Sequence, residues 1–440
     1  MNAPLNRRRF LTRTTRTATG LWLAAPFLSR VHGDANGKLN VGFIGVANRA
    51  AEDLSEVAKQ VDSVNVAALC DVDDNSLAQA KQKHPGAATY NDFRQLMEQK
   101  DLDAIVVATP DHTHAVAAAA ALRLGRHVYC EKPLTRTVSE CRIVRELAKG
   151  HHCVTQLGTQ IHALTNYRRV VELIQTGAIG QVREVHVWSS AVYGNLPVPT
   201  DRPPVPLGLH WDLWLGPVEP HPYHPDYAPA KWRNWWAFGG GTLADFGCHF
   251  MDLPHWALNL RYPLSIEPVD GPPVNPESPP PWLIVRYQHP ARPAARGTGT
   301  LPPVTLTWYQ GGKQPALLDE EQRTYFKSGV LFVGEKGRLL ADYTRRQLLP
   351  EAEFAGFKAP EPFIPNSVGH HKEWIEAIKT GGPTTCNFDY SGALTEAALL
   401  GNVAYRAGRR LEWDAAKLRA TNAAGADQFI QHHYRAGWSL

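Results

Sequence analysis

The chain has 440 residues and a formal net charge of +4, long enough for two or three ordinary domains. With 43% apolar and 20% charged residues it has the composition expected of a soluble globular protein, and no apolar run reaches the roughly 18 residues a membrane span needs. The positive balance is confined to residues 1–33, where Arg7, Arg8, Arg9, Arg13, Arg16 and Arg30 face no acid; removing these six takes the charge from +4 to −2, which argues against nucleic acid as a partner.

That N-terminal stretch reads as a targeting segment. "NRRRFLTR" resembles the twin-arginine consensus, "ATGLWLAAPFL" is an uncharged stretch too short to span a bilayer, and "VHG" offers small residues for cleavage. The expectation is export through the twin-arginine machinery, as an already folded protein, to the periplasm or beyond. The six cysteines show no C-x-x-C spacing, and most read as small buried thiols.

From Lys38 short apolar strands alternate with helices. The strands are "LNVGFI", "VNVAAL", "DAIVVATP", "HVYC" and "CVTQLG". The helices between them run from about Asn48 to Gln60, Ser76 to Lys83 and Asp92 to Gln99, then through "HAVAAAAALRLG" and "SECRIVRELAKG". This rhythm predicts right-handed βαβ units and a parallel sheet covered on both faces. The expected domain spans 38–155. A second α/β domain, 156–440, opens with the amphipathic helix "LTNYRRVVELIQTG". Its strands "VREVHVWSS", "WLIVRYQ", "PVTLTWYQ", "GVLFVG" and "GRLLAD" suggest an open, mainly antiparallel sheet, and the chain ends in helices. The stretches 192–236, 272–281 and 312–327 read as loops or insertions.

The first strand ends in "VGFIGVANRA", where the slots of the G-x-G-x-x-G dinucleotide fingerprint hold Gly45, Ala47 and Ala50. Gly45 keeps the tight turn, and the two alanines add one methyl each. The following helix start presents free amides to an anion, with Asn48 and Arg49 beside it. Asp71 ends the second strand, 26 residues beyond Gly45. An acid there accepts from ribose hydroxyls and disfavours a 2′-phosphate, hence NAD rather than NADP. Glu131 and Lys132 follow the strand "HVYC" at the carboxyl edge, where ligands bind in open α/β sheets. Asp245 and His249 in "LADFGCHF" are four apart, on one face if helical, after three glycines that would let a ligand approach the backbone. Hydride leaves an alcohol carbon only if the hydroxyl proton leaves too, and such a group can take it.

Together "GFIGVANRA", "VVATPDHTHA", "CEKPLTRTVSE", "VTQLGTQ" and "GGGTLADFGCHFMDLPHWAL" resemble the Gfo/Idh/MocA oxidoreductases from Lys38 to the C-terminus. The resemblance implies a Rossmann domain followed by an α/β domain whose sheet often forms an interface, so a homodimer or homotetramer is expected. It implies His249 as general base or acid, Asp245 as its orienting or substrate-contacting partner, and Lys132 assisting the reacting hydroxyl. It also implies that Thr109, Pro110, His112, His114, Glu131, Lys132 and Gln160 line the cofactor. No metal-ligand set stands out at a known spacing. The Trp-rich stretch suggests a carbohydrate cleft, with Trp211, Tyr223, Trp232 and Arg233 as candidates. The expectation is an NAD-dependent enzyme acting on a sugar or polyol hydroxyl, its cofactor tightly bound and recycled. The alternatives are an NAD-dependent glycosidase working by transient oxidation and elimination, and a non-catalytic sugar or nucleotide sensor.

Overall fold

A computed structural model describes residues 37–440; the expected export signal lies outside the described residues. The first sheet holds six parallel strands in the order β3-β2-β1-β4-β5-β6. These are β1 (Leu39–Ile44), β2 (Val64–Cys70), β3 (Ala88–Tyr90), β4 (Ala104–Val107), β5 (His127–Cys130) and β6 (Thr155–Leu157). Every residue of β1, β4 and β5 is buried, as a parallel sheet with helices on both faces requires. The connecting helices include α1 (Arg49–Ala58), α2 (Asp74–Lys83), α3 (Phe93–Leu96), α4 (Asp111–Arg123) and α5 (Val138–Gly150). Helix α5 starts at a capping box between Thr137 and Glu140, which satisfies two first-turn donors.

The chain reverses its strand order between β1 and β4. The crevice outside their carboxyl ends is therefore the place where such sheets take ligands.

The second sheet has nine strands. Val182–Ser189 pairs in parallel with Val304–Gln310, and the other pairings are antiparallel. One face carries a large apolar core with the helices Thr165–Gln175, Gly241–Phe250 and Phe388–Arg406.

Two sequence expectations need correction here. The stretch 312–327 is not only loop. It holds the helix Glu320–Tyr325, opened by a capping box between Asp319 and Gln322, and it seats Leu318 and Phe326 against Trp188, Leu331 and Leu340 on the sheet. The strand Ser265–Asp270 also lay hidden, because Pro268 interrupts its pattern and its far end is exposed. All six cysteines are free, and all but Cys153 are buried.

Candidate active site

A cavity of about 1040 Å³ runs along the carboxyl edge of the first sheet. Its floor begins at Gly45, whose φ of +90° suits glycine, and whose added Cβ would lie 2.4 Å from the Ala108 carbonyl oxygen. The Gly45 amide donates to Cys70 O at 2.8 Å, and the Val46 amide donates to Asp71 Oδ2 at 3.0 Å. Asp71 Oδ1 accepts from the Asp73 amide at 3.0 Å. The acid that ends β2 thus fixes the turn that ends β1, and it lines the cavity. Burial raises its pKa, against those backbone donors.

Ala47 and Asn48 line the cavity, so the Ala47 methyl is part of its wall and leaves it open. Ala50 is buried and sits beside Gly45, 3.5 Å from where a Cβ there would lie. Arg49 is tied down locally, with Nη2 at 2.7 Å from Asp53 and Nε 3.4 Å from Glu131. These features fit a dinucleotide: a roomy crevice, the positive N-terminal end of α1 and a carboxylate in reach of a ribose.

At the other end Lys132 and Arg233 enter the lining. The Lys132 ammonium is ion-paired with Asp245 Oδ1, and Arg233 Nε lies 3.2 Å from the same oxygen. These two cations outweigh burial and hold Asp245 ionised, its pKa lowered to about 2. Asp245 and His249 do share a face of the helix Gly241–Phe250. Burial and the charge of Lys132 push His249 down to about 3, so it is neutral at ordinary pH. Its Nδ1 is buried with no hydrogen-bond partner among the described residues, and neither His249 nor Asp245 is among the residues that line the cavity, whereas Lys132 and Arg233 are.

Several site residues escaped the sequence. Asp111 is buried with Oδ1 unpartnered, and burial raises it to about 7 against the pull of Arg233. The Tyr193 phenol bonds Asp245, and burial lifts it to about 12. Tyr193 comes from an aperiodic loop, so no spacing could have marked it. Glu131 is buried near Asp53, which raises its pKa, while Gln160 Nε2 donates to it at 2.5 Å. A Cβ on Gly158 would collide with that carboxylate.

Other expected residues are placed elsewhere. His112 and His114 lie in the first turn of α4, at 1% and 0% exposure. His112 Nε2 bonds Trp214 O at 2.8 Å, and the His114 ring sits between Thr109 O and Pro133 O. Neither ring lines the cavity, although Thr109 and Pro110 do. Gln160 reaches it only through Glu131.

The three glycines before Asp245 serve chain packing rather than a ligand: a Cβ on Gly240 would meet Ala244 at 2.5 Å and one on Gly241 would meet Pro279 at 2.5 Å. Of the carbohydrate-cleft candidates, Tyr223, Trp232 and Arg233 line the cavity and Trp211 does not. Trp211 stacks on Trp214 with ring centres 4.7 Å apart, because the Trp-rich stretch builds a small core of its own.

Among the described residues His162, Asp252 and Cys386 converge closely enough to hold a metal ion. In this structure His162 Nδ1 is 2.9 Å from Asp252, and the Tyr390 hydroxyl donates to the same acid at 2.7 Å.

A Gfo/Idh/MocA model, described as "Oxidoreductase family, NAD-binding Rossmann fold", matches residues 39–159. A second, "Oxidoreductase family, C-terminal alpha/beta domain", matches 186–293. Together they span just over half of the chain.

Inositol 2-dehydrogenase of Salmonella paratyphi B is 31% identical over 150 residues, 34% of this chain and 45% of that protein. A glycosyl hydrolase family 109 protein of Solibacter usitatus is 33% identical over 160 residues, 33% of this chain and 36% of that protein. The chain thus spans less than half the length of these curated relatives. The WlbA dehydrogenase of Bordetella pertussis, solved with NADH and UDP-GlcNAcA, superposes with a TM-score of 0.59 at 18% identity, over 86% of this chain and 99% of that one. That last likeness is one of fold.

Proposed function

The chain belongs to the Gfo/Idh/MocA oxidoreductase family, and from that premise we propose that it oxidises or reduces a hydroxyl-bearing carbon of a sugar or related polyol. NAD is the proposed cofactor, tightly held and recycled within one site. The observation that carries this reading is the Lys132–Asp245–Arg233 cluster, whose two cations line the same crevice as Gly45 and Asp71, with His249 one helical turn beyond Asp245.

When bound, the nicotinamide supplies the hydride acceptor and donor. The chain's own residues manage the proton. Neutral His249 takes the hydroxyl proton at Nε2, and Asp245, one turn away, stabilises the charge it gains. Asp245 stays ionised and does not give up a proton; it holds the Lys132 and Arg233 side chains in place. Two cations against one firmly ionised acid leave a positive balance, which favours an alkoxide on the reacting carbon. Asp71 favours NAD, because a 2′-phosphate would meet its charge. Tyr223, Trp232 and Arg233 are the proposed sugar contacts.

A second reading, NAD-dependent glycoside hydrolysis, is favoured by the family 109 relative. Oxidation of a ring hydroxyl acidifies the neighbouring C–H; elimination, water addition and reduction then release the aglycone with no net redox change. Twin-arginine export and a homo-oligomer built on the second sheet complete the proposal.

One incubation separates the readings. Purified protein is mixed with free polyols and with aryl glycosides, without an external electron acceptor. Reduced nucleotide, at most one per site, with a keto product from the polyol supports the dehydrogenase; aglycone release beyond one turnover supports the hydrolase. Neither product from any substrate tried, with the nucleotide still bound, counts against both.

A further inference from the structure

We infer that the end of the chain belongs to the cofactor site, with the Trp438 indole as the wall of its adenine end. The inference rests on the dinucleotide reading above. The cavity passes from Lys132 and Arg233 over the Gly45 turn to Asp71, and continues to Asn91, Phe93, Thr113 and Trp438. With the pyrophosphate at the turn and the adenosine ribose at Asp71, the group lying farther along is the adenine.

Trp438 comes from the last strand-free segment of the other half of the molecule, and several contacts fix it there. Arg435 donates from Nε to Gly216 O at 2.6 Å and from Nη2 to Asp212 O at 2.7 Å. Its guanidinium also pairs with the Asp212 carboxylate at 2.5 Å, and its amide donates to Pro217 O at 3.2 Å. The Tyr434 hydroxyl donates to Glu140 at 2.5 Å. The Arg94 guanidinium lies 4.6 Å from the centre of the Trp438 ring, and Phe93 packs at 5.9 Å.

The loop that receives Arg435 is itself pinned to the crevice. Asp74 N donates to Gly208 O at 2.9 Å, and His210 N donates to Val72 O at 2.8 Å. A Cβ on Gly216 would come 2.7 Å from the Thr113 methyl and 3.9 Å from the indole. Loop and tail therefore make one wall, facing the residues after Asp71. An indole there offers a flat apolar surface to a purine.

The test compares the full chain with W438A and W438F, titrated with NADH, ADP-ribose and nicotinamide mononucleotide. W438A is expected to weaken NADH and ADP-ribose about tenfold, as loss of one base–aromatic stack does, and to release bound NADH faster. Nicotinamide mononucleotide binding stays unchanged, and W438F keeps most of the affinity. If W438A binds ADP-ribose as tightly as the native chain, or loses both half-ligands equally, the assignment of Trp438 is overturned while the cofactor reading stands. If the native chain binds no nicotinamide dinucleotide at all, the cofactor reading falls and takes this assignment with it.

Discussion

The two ends of the cavity are built by different means. The turn end is made of backbone: Gly45, the Val46 amide on Asp71 and the start of α1. The far end is made of side-chain charge, where Lys132, Arg233 and Asp245 meet in a buried cluster. Backbone shape tolerates a methyl where the chain has room, and so Ala47 can stand in a glycine slot. Charge balance has no such slack, because each buried ion depends on its partners. The difference teaches that binding and chemistry in this protein are separable, and substitutions should separate them.

The largest effect is expected at the charged end. K132A removes the partner of Asp245 and one cation beside the reacting hydroxyl, and kcat should fall about 10³-fold. The dissociation constant for NADH should move less than about threefold, measured by fluorescence titration. A matching loss of binding would erase the distinction between the two ends. A fully active K132A would overturn the role proposed for Lys132 in the chemistry.

H249A is expected to lower kcat about 10²-fold. The pH dependence sharpens the point. A folded pKa of about 3 is below that of a free histidine, so the neutral, proton-accepting form persists as pH falls. The unfolded chain takes up this proton first, near its ordinary value, so His249 costs stability increasingly as pH drops from that range towards 3. The acid limb of kcat/KM from this base should therefore lie below about pH 5; a limb near an unperturbed histidine would contradict its burial beside Lys132.

At the turn end, G45A should lower stability by about 2 kcal/mol, from both the positive φ and the approach to Ala108 O. Urea unfolding of the cofactor-free chain measures it. The smallest effect belongs to A47G, which should change cofactor affinity less than about threefold. A large gain in affinity from A47G would show that the methyl holds the dinucleotide away from the turn.

The backbone end was largely legible in sequence, because strand–turn–helix rhythm and the position of Asp71 are local features. Lys132, Asp245 and His249 were legible for a different reason: their motifs are short and resemble a known family. Tyr193 and Asp111 were not, since they join the site from a loop and a helix start that only the tertiary fold brings to Asp245. The histidines of "PDHTH" were misplaced because the helix begins at Asp111, which turns both rings inward. Trp211 was misplaced because aromatic richness marks a small core as readily as a sugar cleft. The place of Trp438 on the cavity lining had no local signal at all, since 345 or so residues separate it from the Phe93–Arg94 pair it packs against.

The central claim, that this crevice holds a nicotinamide dinucleotide, is tested most directly by what the native protein carries. Purified chain is denatured, and the released small molecules are identified by mass spectrometry. NAD or NADH is expected at close to one per chain. A chain that releases no nicotinamide nucleotide, and binds neither NADH nor NADPH when titrated, contradicts it.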